Sequence, residues 1–105
     1  MTLFEILIPV KNNKGVSFDY EHNRLWEDGV LGIAGGLTRL SAVDGQWISP
    51  LNEIIEEQMY PVRIACTQEH IEAIADFTAK HYNQISVMYY ALSTKVIFKN
   101  YEKRQ

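Results

Sequence analysis

Length, composition and charge set the first limits on what this chain is. Its 105 residues predict one domain over 1–105, and an apolar content of 47% is typical of a globular protein rather than a disordered one. The net charge of -3 argues against a nucleic-acid binder, which needs a basic surface, and against electrostatic binding to an anionic membrane. Cys66 is the single cysteine, which excludes an intrachain disulfide and a cysteine-based zinc site and favours a cytoplasmic location.

The N-terminal segment MTLFEILIPVKNNK predicts a strand rather than a targeting signal. It lacks the basic region and the cleavage site of a signal peptide, and its apolar run from Leu3 to Val10 is too short to cross a membrane. The run is rich in Ile, Leu and Val, so we expect a first strand with both faces at least partly covered.

A helix is predicted for the segment SFDYEHNRLWEDGVLGIAGG. Ser17 or Asp19 is the expected N-cap, and Gly35 with Gly36 suits the C-terminal end, because glycine adopts the left-handed conformation at little cost. With Trp26 at its flank, the expected buried face consists of Phe18, Leu25, Val30 and Ile33.

Five of the six glycines lie between Gly29 and Gly45, which raises the question of a phosphate-binding loop. A Walker loop has Lys followed by Ser or Thr after its last glycine, and here Gly36 is followed by Leu37. A dinucleotide fingerprint lies between a strand and a helix, and these glycines follow a helix. We therefore interpret them as packing and turn residues: Gly29 and Gly32 either permit close helix packing or end the helix near Asp28.

The middle of the chain predicts a hairpin. LTRLSAVDGQWIS alternates like a strand, with Asp-Gly indicating a tight turn or a bulge, and SPLN predicts the turn into a third strand, NEIIEEQMYPVRIAC. The residues expected on the core side of that third strand are Ile54, Tyr60, Val62, Ile64 and Cys66.

The second helix is the clearest predicted element, with Thr67 as its N-cap in TQEHIEAIADFTAKHYN. Its buried stripe comprises Ile71, Ile74, Ala75, Thr78 and Tyr82. A further strand is expected from about Ile85 to Ala91, followed by a turn and an optional last strand over Lys95–Phe98. The resulting order, β-α-β-β-α-β, is the ferredoxin-like α+β arrangement: an antiparallel sheet with two helices on one face.

The face of this sheet away from the helices is too apolar to be left in water. Its expected members include Leu3, Leu7, Met59 and either Met88 with Tyr90 or Val87 with Tyr89, depending on the register of the last strand. We hypothesise a two-fold homodimer through this sheet face. The alternative is that the C-terminal segment folds over the face.

The candidate chemical groups do not form a recognisable catalytic or metal-binding motif. His22, His70 and His81 are scattered on helices and are interpreted as helix-surface residues, so neither a metal nor a cofactor is expected. Glu57 is of interest because its position places it beside Met59 and Arg63 on the less covered face, where an Arg63–Glu57 ion pair is expected. Cys66 is interpreted as a buried structural thiol.

The segments GGLTRL, GQW and NQISVMY resemble a family of small bacterial domains with the pattern Gly-Leu-Thr, Gly-x-Trp, a glutamate strand, a helix and Gln-x-Ser-Val. The matching residues are Gly36, Leu37, Thr38, Gly45, Gln46, Trp47, Glu57, Gln84, Ser86 and Val87. The resemblance implies a ferredoxin-like fold and no particular activity. The chain is also similar in style to orphan proteins carried on mobile (integron) gene cassettes.

The resemblance also suggests a ligand site at one rim of the sheet. The candidate ligand-binding residues are Thr38, Arg39, Gln46, Trp47, Glu57 and Gln84. The alternative is that these side chains satisfy backbone groups at the hairpin and at the start of the last strand.

Three functions follow from these observations. The first is a homodimeric module that binds a small ligand or a protein. The second is a cofactor-independent enzyme of the dimeric ferredoxin-like type, with a substrate cleft between sheet and helices and with Glu57, Arg39 or a histidine as the acid–base group. The third is a toxin-, immunity- or inhibitor-like protein of a mobile element.

Overall fold

The computed structural model describes residues 1–102, and its elements match the predicted order except that the second strand is split in two. The elements, in chain order, are β1 (Thr2–Pro9), α1 (Tyr20–Ala34), β2 (Thr38–Arg39), β3 (Val43–Ile48), β4 (Ile54–Cys66), α2 (Gln68–His81) and β5 (Tyr89–Ser93).

One antiparallel sheet contains all five strands. β1 lies in the centre between β4 and β5, and the long β4 carries both β2 and β3 on its other edge, at successive positions. This is the predicted ferredoxin-like topology, in which the strands joined by the first helix are not neighbours.

The core lies between the sheet and the two helices. On β1 the even-numbered residues face the helices, and on β4 they do the same from Tyr60 onward, because successive side chains of a strand alternate between faces. Trp26 of α1 is fully buried, and its indole Nε1 donates a hydrogen bond to the Thr78 hydroxyl of α2 at 2.9 Å. The core residues are Phe4, Ile6, Ile8, Trp26, Val30, Val62, Ile64, Cys66, Ile71, Ile74 and Tyr82.

The helix boundaries follow the predicted capping chemistry. The Asp19 carboxylate accepts a hydrogen bond from the backbone N–H of His22, so Asp19 rather than Ser17 is the N-cap of α1. Gly35 ends α1 in the left-handed conformation, with φ of 82°. Thr67 caps α2 by accepting from the N–H of His70.

Two expectations about α1 need correction or refinement. The helix continues through Gly29 and Gly32 to Ala34 and does not end near Asp28. Gly29 is a close-packing position, because an added Cβ would lie 2.5 Å from the Phe77 ring, whereas nothing lies within 4 Å of one at Gly32. Leu25, predicted to be buried, is 49% exposed, because the buried face of the helix is centred on Trp26 and Val30.

The hairpin also differs from its prediction in detail. The predicted second strand breaks at residues 40–42, where the chain shifts from one part of the β4 edge to another. Asp44 and Gly45 form no turn; they pair with Gln58 and Glu57 inside the β3–β4 ladder. The turn lies at residues 49–53, where the predicted SPLN segment is closed by the bond from the Ser49 N–H to the Glu53 carbonyl.

The C-terminal region diverges most from the prediction. β5 begins at Tyr89 rather than near Ile85, and residues 94–102 contain neither a helix nor a strand, so the optional last strand is absent there. Ile97, Phe98 and Tyr101 are largely exposed, so these side chains are not packed over the open face of the sheet.

Candidate functional site

The site lies on the sheet face that the helices leave uncovered, here named the open face. Its residues come mainly from odd-numbered positions of β1, β3 and β4, joined by Gln46 of β3 and by Met88 and Tyr90 at the last strand. The positions of Met88 and Tyr90 settle the register left open by the sequence. Tyr89 and Val87 instead pack against the core. The open face is apolar in much of its area; Met88, for example, is 63% exposed.

A groove of about 740 Å³ opens on this face beside the β3–β4 hairpin. Its walls are mainly apolar side chains from three strands and the segment before β5. The lining residues are Leu7, Pro9, Gly45, Gln46, Trp47, Glu57, Met59, Gln84, Ile85, Ser86 and Met88. Apolar walls with a few polar groups are the usual composition of a small-molecule site.

A more polar cleft of about 910 Å³ adjoins the groove. The two share Gly45, Gln46, Trp47, Glu57 and Gln84. The charged side chains that line the cleft are Lys11, Asp44, Glu56 and Glu57. Three carboxylates against one ammonium group make this region acidic.

Glu57 is the carboxylate common to both spaces. Burial raises the pKa of its carboxyl group, because a partly desolvated site disfavours the charged form. Among residues 1–102, no side chain forms an ion pair or a hydrogen bond with the Glu57 carboxylate. Glu56, the next residue, points to the opposite face of β4, where it accepts a 2.9 Å bond from the Gln46 amide.

The expected Arg63–Glu57 ion pair is absent because the two residues lie six positions apart on the extended strand β4, about 20 Å, and Arg63 has another partner. Its Nε donates to the Glu5 carboxylate at 3.1 Å, and the Tyr90 hydroxyl donates to the other oxygen of Glu5. The hydrogen bond to Glu5 raises the pKa of the Tyr90 phenol. Glu5, only 8% exposed, is therefore satisfied within the open face and is not a free acid–base group.

The structure brings four of the six predicted ligand residues together: Gln46, Trp47, Glu57 and Gln84 all line the groove. Thr38 and Arg39 are not part of it. Thr38 pairs with Arg63, which is six positions beyond Glu57 along β4, about 20 Å away. Arg39 faces the helices, with its guanidinium 3.3 Å from Glu27 and above the ring of Tyr60.

The histidines have a structural arrangement that the sequence did not reveal. His22 and His81 stack with ring centroids 4.0 Å apart, and the Nε2 of each bonds the backbone carbonyl of the other, at 2.8 and 2.6 Å. They are half-buried between α1 and α2 rather than free on the helix surface. Only the spatial pairing of the two helices could have shown this, because the two residues are 59 positions apart.

Cys66 is a buried thiol at the end of β4, as predicted. Burial raises the pKa of the thiol, which disfavours the nucleophilic thiolate.

Within residues 1–102, no group of three or more His, Cys, Asp or Glu side chains could hold a metal ion. None of the helices in this part of the chain is long and apolar enough to span a membrane.

Comparison with known proteins first identifies the class of fold: a small α+β protein with a ferredoxin-like sheet. The solved structures that resemble it include CutA1 divalent cation tolerance proteins. That of Thermus thermophilus superimposes with a TM-score of 0.66 at 12% identity, covering 94% of this chain and 86% of that one. CutA1 of Shewanella sp. SIB1 gives 0.67 at 15% identity, with coverages of 91% and 82%.

A third neighbour, described as the periplasmic divalent cation tolerance protein CutA of Archaeoglobus fulgidus, gives a TM-score of 0.67 at 10% identity, covering 93% of this chain and 87% of that one. At such identities the likeness establishes the fold alone. No protein-family model matches the sequence, and no curated protein sequence matches it. The resemblance to the Gly-Leu-Thr domain family and to cassette proteins therefore stays a prediction.

Proposed function

We propose that this protein is a self-associating module that binds a small ligand in the groove of the open face. The observation that carries the proposal is the groove itself: about 740 Å³, walled by apolar side chains, with the unpartnered Glu57 carboxylate at the point where it meets the polar cleft. A partly enclosed apolar site with few polar groups suits a small organic molecule.

Self-association is supported by the amount of apolar surface that the monomer leaves exposed. Besides the open face, the tip of the β3–β4 hairpin exposes Ile48, Leu51 and Ile54. Soluble monomers rarely expose large apolar patches, and such patches usually mark sites of protein–protein or ligand contact. Our proposal keeps the two-fold homodimer through the sheet face, in which the second copy would close the groove from above.

The CutA1 neighbours are described as divalent cation tolerance proteins, which raises the question of a divalent cation here. The described residues do not fit a metal centre within one chain, because residues 1–102 contain no cluster of three or more suitable ligands. Hard divalent cations take about six oxygen ligands, and the groove offers one free carboxylate among apolar walls. The proposal therefore contains no metal-dependent step. It retains a cytoplasmic location, which rests on the single free cysteine.

A second candidate function is a cofactor-independent enzyme with Glu57 as its acid–base group. The raised pKa of the Glu57 carboxyl favours it, since an acid–base group works best with a pKa nearer neutrality. Arg39 is engaged by Glu27, and the Nε2 atoms of His22 and His81 are engaged by carbonyls. The space between sheet and helices, where a substrate cleft was predicted, is filled by core residues such as Trp26 and Tyr82.

Native mass spectrometry of the purified protein tests the proposal, with Gly45→Leu as the variant. Gly45 lines the groove, and even a Cβ there would lie 3.0 Å from the Met59 methyl, so a leucine obstructs the space. We expect the wild-type protein to be a dimer with a retained small molecule and the variant to lose that molecule. A wild-type monomer, or an extra mass that Gly45→Leu leaves unchanged, would contradict the proposal.

A further inference from the structure

The Glu57 carboxylate has no counter-charge of its own in the described chain. It is half-buried on the open face, and the one guanidinium of β4, that of Arg63, is 3.1 Å from Glu5 and bonded to it. A partly buried carboxylate without a partner is costly for the protein to keep ionised. A bound cation would offset this cost, so the carboxylate is stabilised more by an external cation than a fully solvated one would be.

The surrounding charges act in the same direction. Asp44 and Glu56 line the adjoining cleft, and Lys11 is the only basic residue among its lining side chains. A negative potential in a cleft attracts cations and repels anions. The site therefore disfavours carboxylate and phosphate ligands.

The groove walls distinguish an organic cation from a metal ion. Trp47 offers an aromatic face, which attracts a cation through its quadrupole, and Met59 and Met88 offer polarisable side chains that adapt to an apolar body. Gly45 is the residue paired with Glu57 across the ladder, and its missing side chain makes room for the Met59 methyl, which would lie 3.0 Å from an added Cβ. A hydrated metal ion would gain nothing from these walls, whereas a substituted amine would contact them.

We infer that the groove selects an organic ammonium ion with an apolar body, held by the Glu57 carboxylate at its charged end and by Trp47 and the methionines along its length. This inference rests on the proposed function, because it names the ligand class of the same groove. Glu57 and Trp47 are then the specificity-determining residues.

Titrations followed by amide chemical shifts test this inference with three probes: 2-phenylethylammonium chloride, its neutral analogue 2-phenylethanol, and magnesium chloride. Glu57→Gln removes the charge and keeps the size of the side chain. Glu69→Gln is the matched control, since it removes the same charge from an exposed position of α2, on the other side of the sheet from the groove. We expect the ammonium probe to bind the wild-type groove about tenfold more tightly than the alcohol, and Glu57→Gln, unlike Glu69→Gln, to abolish that preference.

Equal affinity for the ammonium and the alcohol, both lost in Gly45→Leu, would overturn the ligand class and leave the proposed binding groove standing. Saturable binding of magnesium that depends on Glu57 would overturn the class in favour of a metal ion. If neither organic probe shifts the amides of the groove at millimolar concentration, the inference and the proposed function fail together.

Discussion

The imidazole rings of His22 and His81 stack 4.0 Å apart and bond each other's backbone carbonyls through Nε2. The pair joins the two helices at one end of the helical layer, because one ring belongs to the first turn of α1 and the other to the last residue of α2. Phe18 stacks on His22 at 4.9 Å, and Phe77 lies 5.5 Å from His81, which extends the contact on both sides.

Replacing His81 with alanine should therefore destabilise the protein. The variant loses the stacked ring and the bond to the His22 carbonyl, for an expected cost of about 1–3 kcal/mol. His70→Ala is the control, because that side chain is exposed on the same helix, and we expect a change within about 0.5 kcal/mol. Urea unfolding followed by circular dichroism measures both, and equal midpoints would show that the histidine pair contributes nothing.

The two glycines inside α1 should respond to alanine in opposite directions. Gly32→Ala meets nothing within 4 Å and should stabilise the protein by about 0.5–1 kcal/mol, since glycine is a poor helix residue. Gly29→Ala places a methyl group 2.5 Å from the Phe77 ring, so we expect a loss of about 1 kcal/mol or more. Thermal unfolding compares the pair, and a gain of stability in Gly29→Ala would contradict the close packing of α1 on α2.

Assembly should depend on the open face and not on the helical face. Met88→Glu puts a charge on the exposed part of the open face, where burial in an interface would make its desolvation costly, and should shift the protein toward monomer. Leu31→Glu is the matched control, because it adds the same charge at an exposed position of α1. Sedimentation velocity reports both. If Leu31→Glu became monomeric while Met88→Glu remained a dimer, the interface would lie on the helical side and not on the open face.

Glu57 should make the stability of the protein depend on pH in an unusual direction. Because burial raises its pKa above the ordinary 4.5, the folded state binds this proton more tightly than the unfolded state does. The resulting stabilisation is present in full below the ordinary pKa and is lost as the pH rises through the raised one. Glu57→Gln should therefore gain stability relative to wild type as the pH rises from acid to neutral.

Glu56→Gln controls for the general loss of one negative charge from the hairpin. Denaturant unfolding across this pH range should show a larger pH-dependent difference for Glu57→Gln than for Glu56→Gln. Identical profiles for the two variants would mean that the Glu57 carboxylate is as well solvated as its neighbour.

Much of the fold was predictable because its signals are local. Alternation along β1, and along β4 from Tyr60 onward, assigned the core and open faces correctly, and the caps at Asp19, Gly35 and Thr67 depend on nearby backbone groups. Ile54, predicted on the core side of β4, is 71% exposed, because the β3–β4 hairpin extends beyond the helices. The errors occurred where contacts between distant parts of the chain determine where an element ends or which of its faces is buried. The position of the break between β2 and β3 depends on the edge of β4, and the exposure of Leu25 depends on which helix face meets Thr78.

The site was predictable only in part, for the same reason. Gln46, Trp47, Glu57 and Gln84 lie together because ladder pairing places Gly45 opposite Glu57 and the chain after α2 returns beside them. Arg39 does not join them, because it pairs with the core residue Val62 and its side chain therefore lies on the helical side of the sheet, beside Glu27. Arg63 does not partner Glu57 because six residues of extended strand separate the two, a spacing that the sequence already contains. The partner that Arg63 does have, Glu5, depends on the β1–β4 register, which the sequence does not show.

The central claim is that the groove on the open face is the ligand site, and amide chemical-shift mapping with a mixture of small amines tests it most directly. We predict that the shifted amides cluster at Gly45, Trp47, Glu57 and Gln84, and that Gly45→Leu removes the shifts while the protein stays folded. Shifts that cluster instead around His22 and His81 between the helices, or that persist unchanged in Gly45→Leu, would contradict the claim.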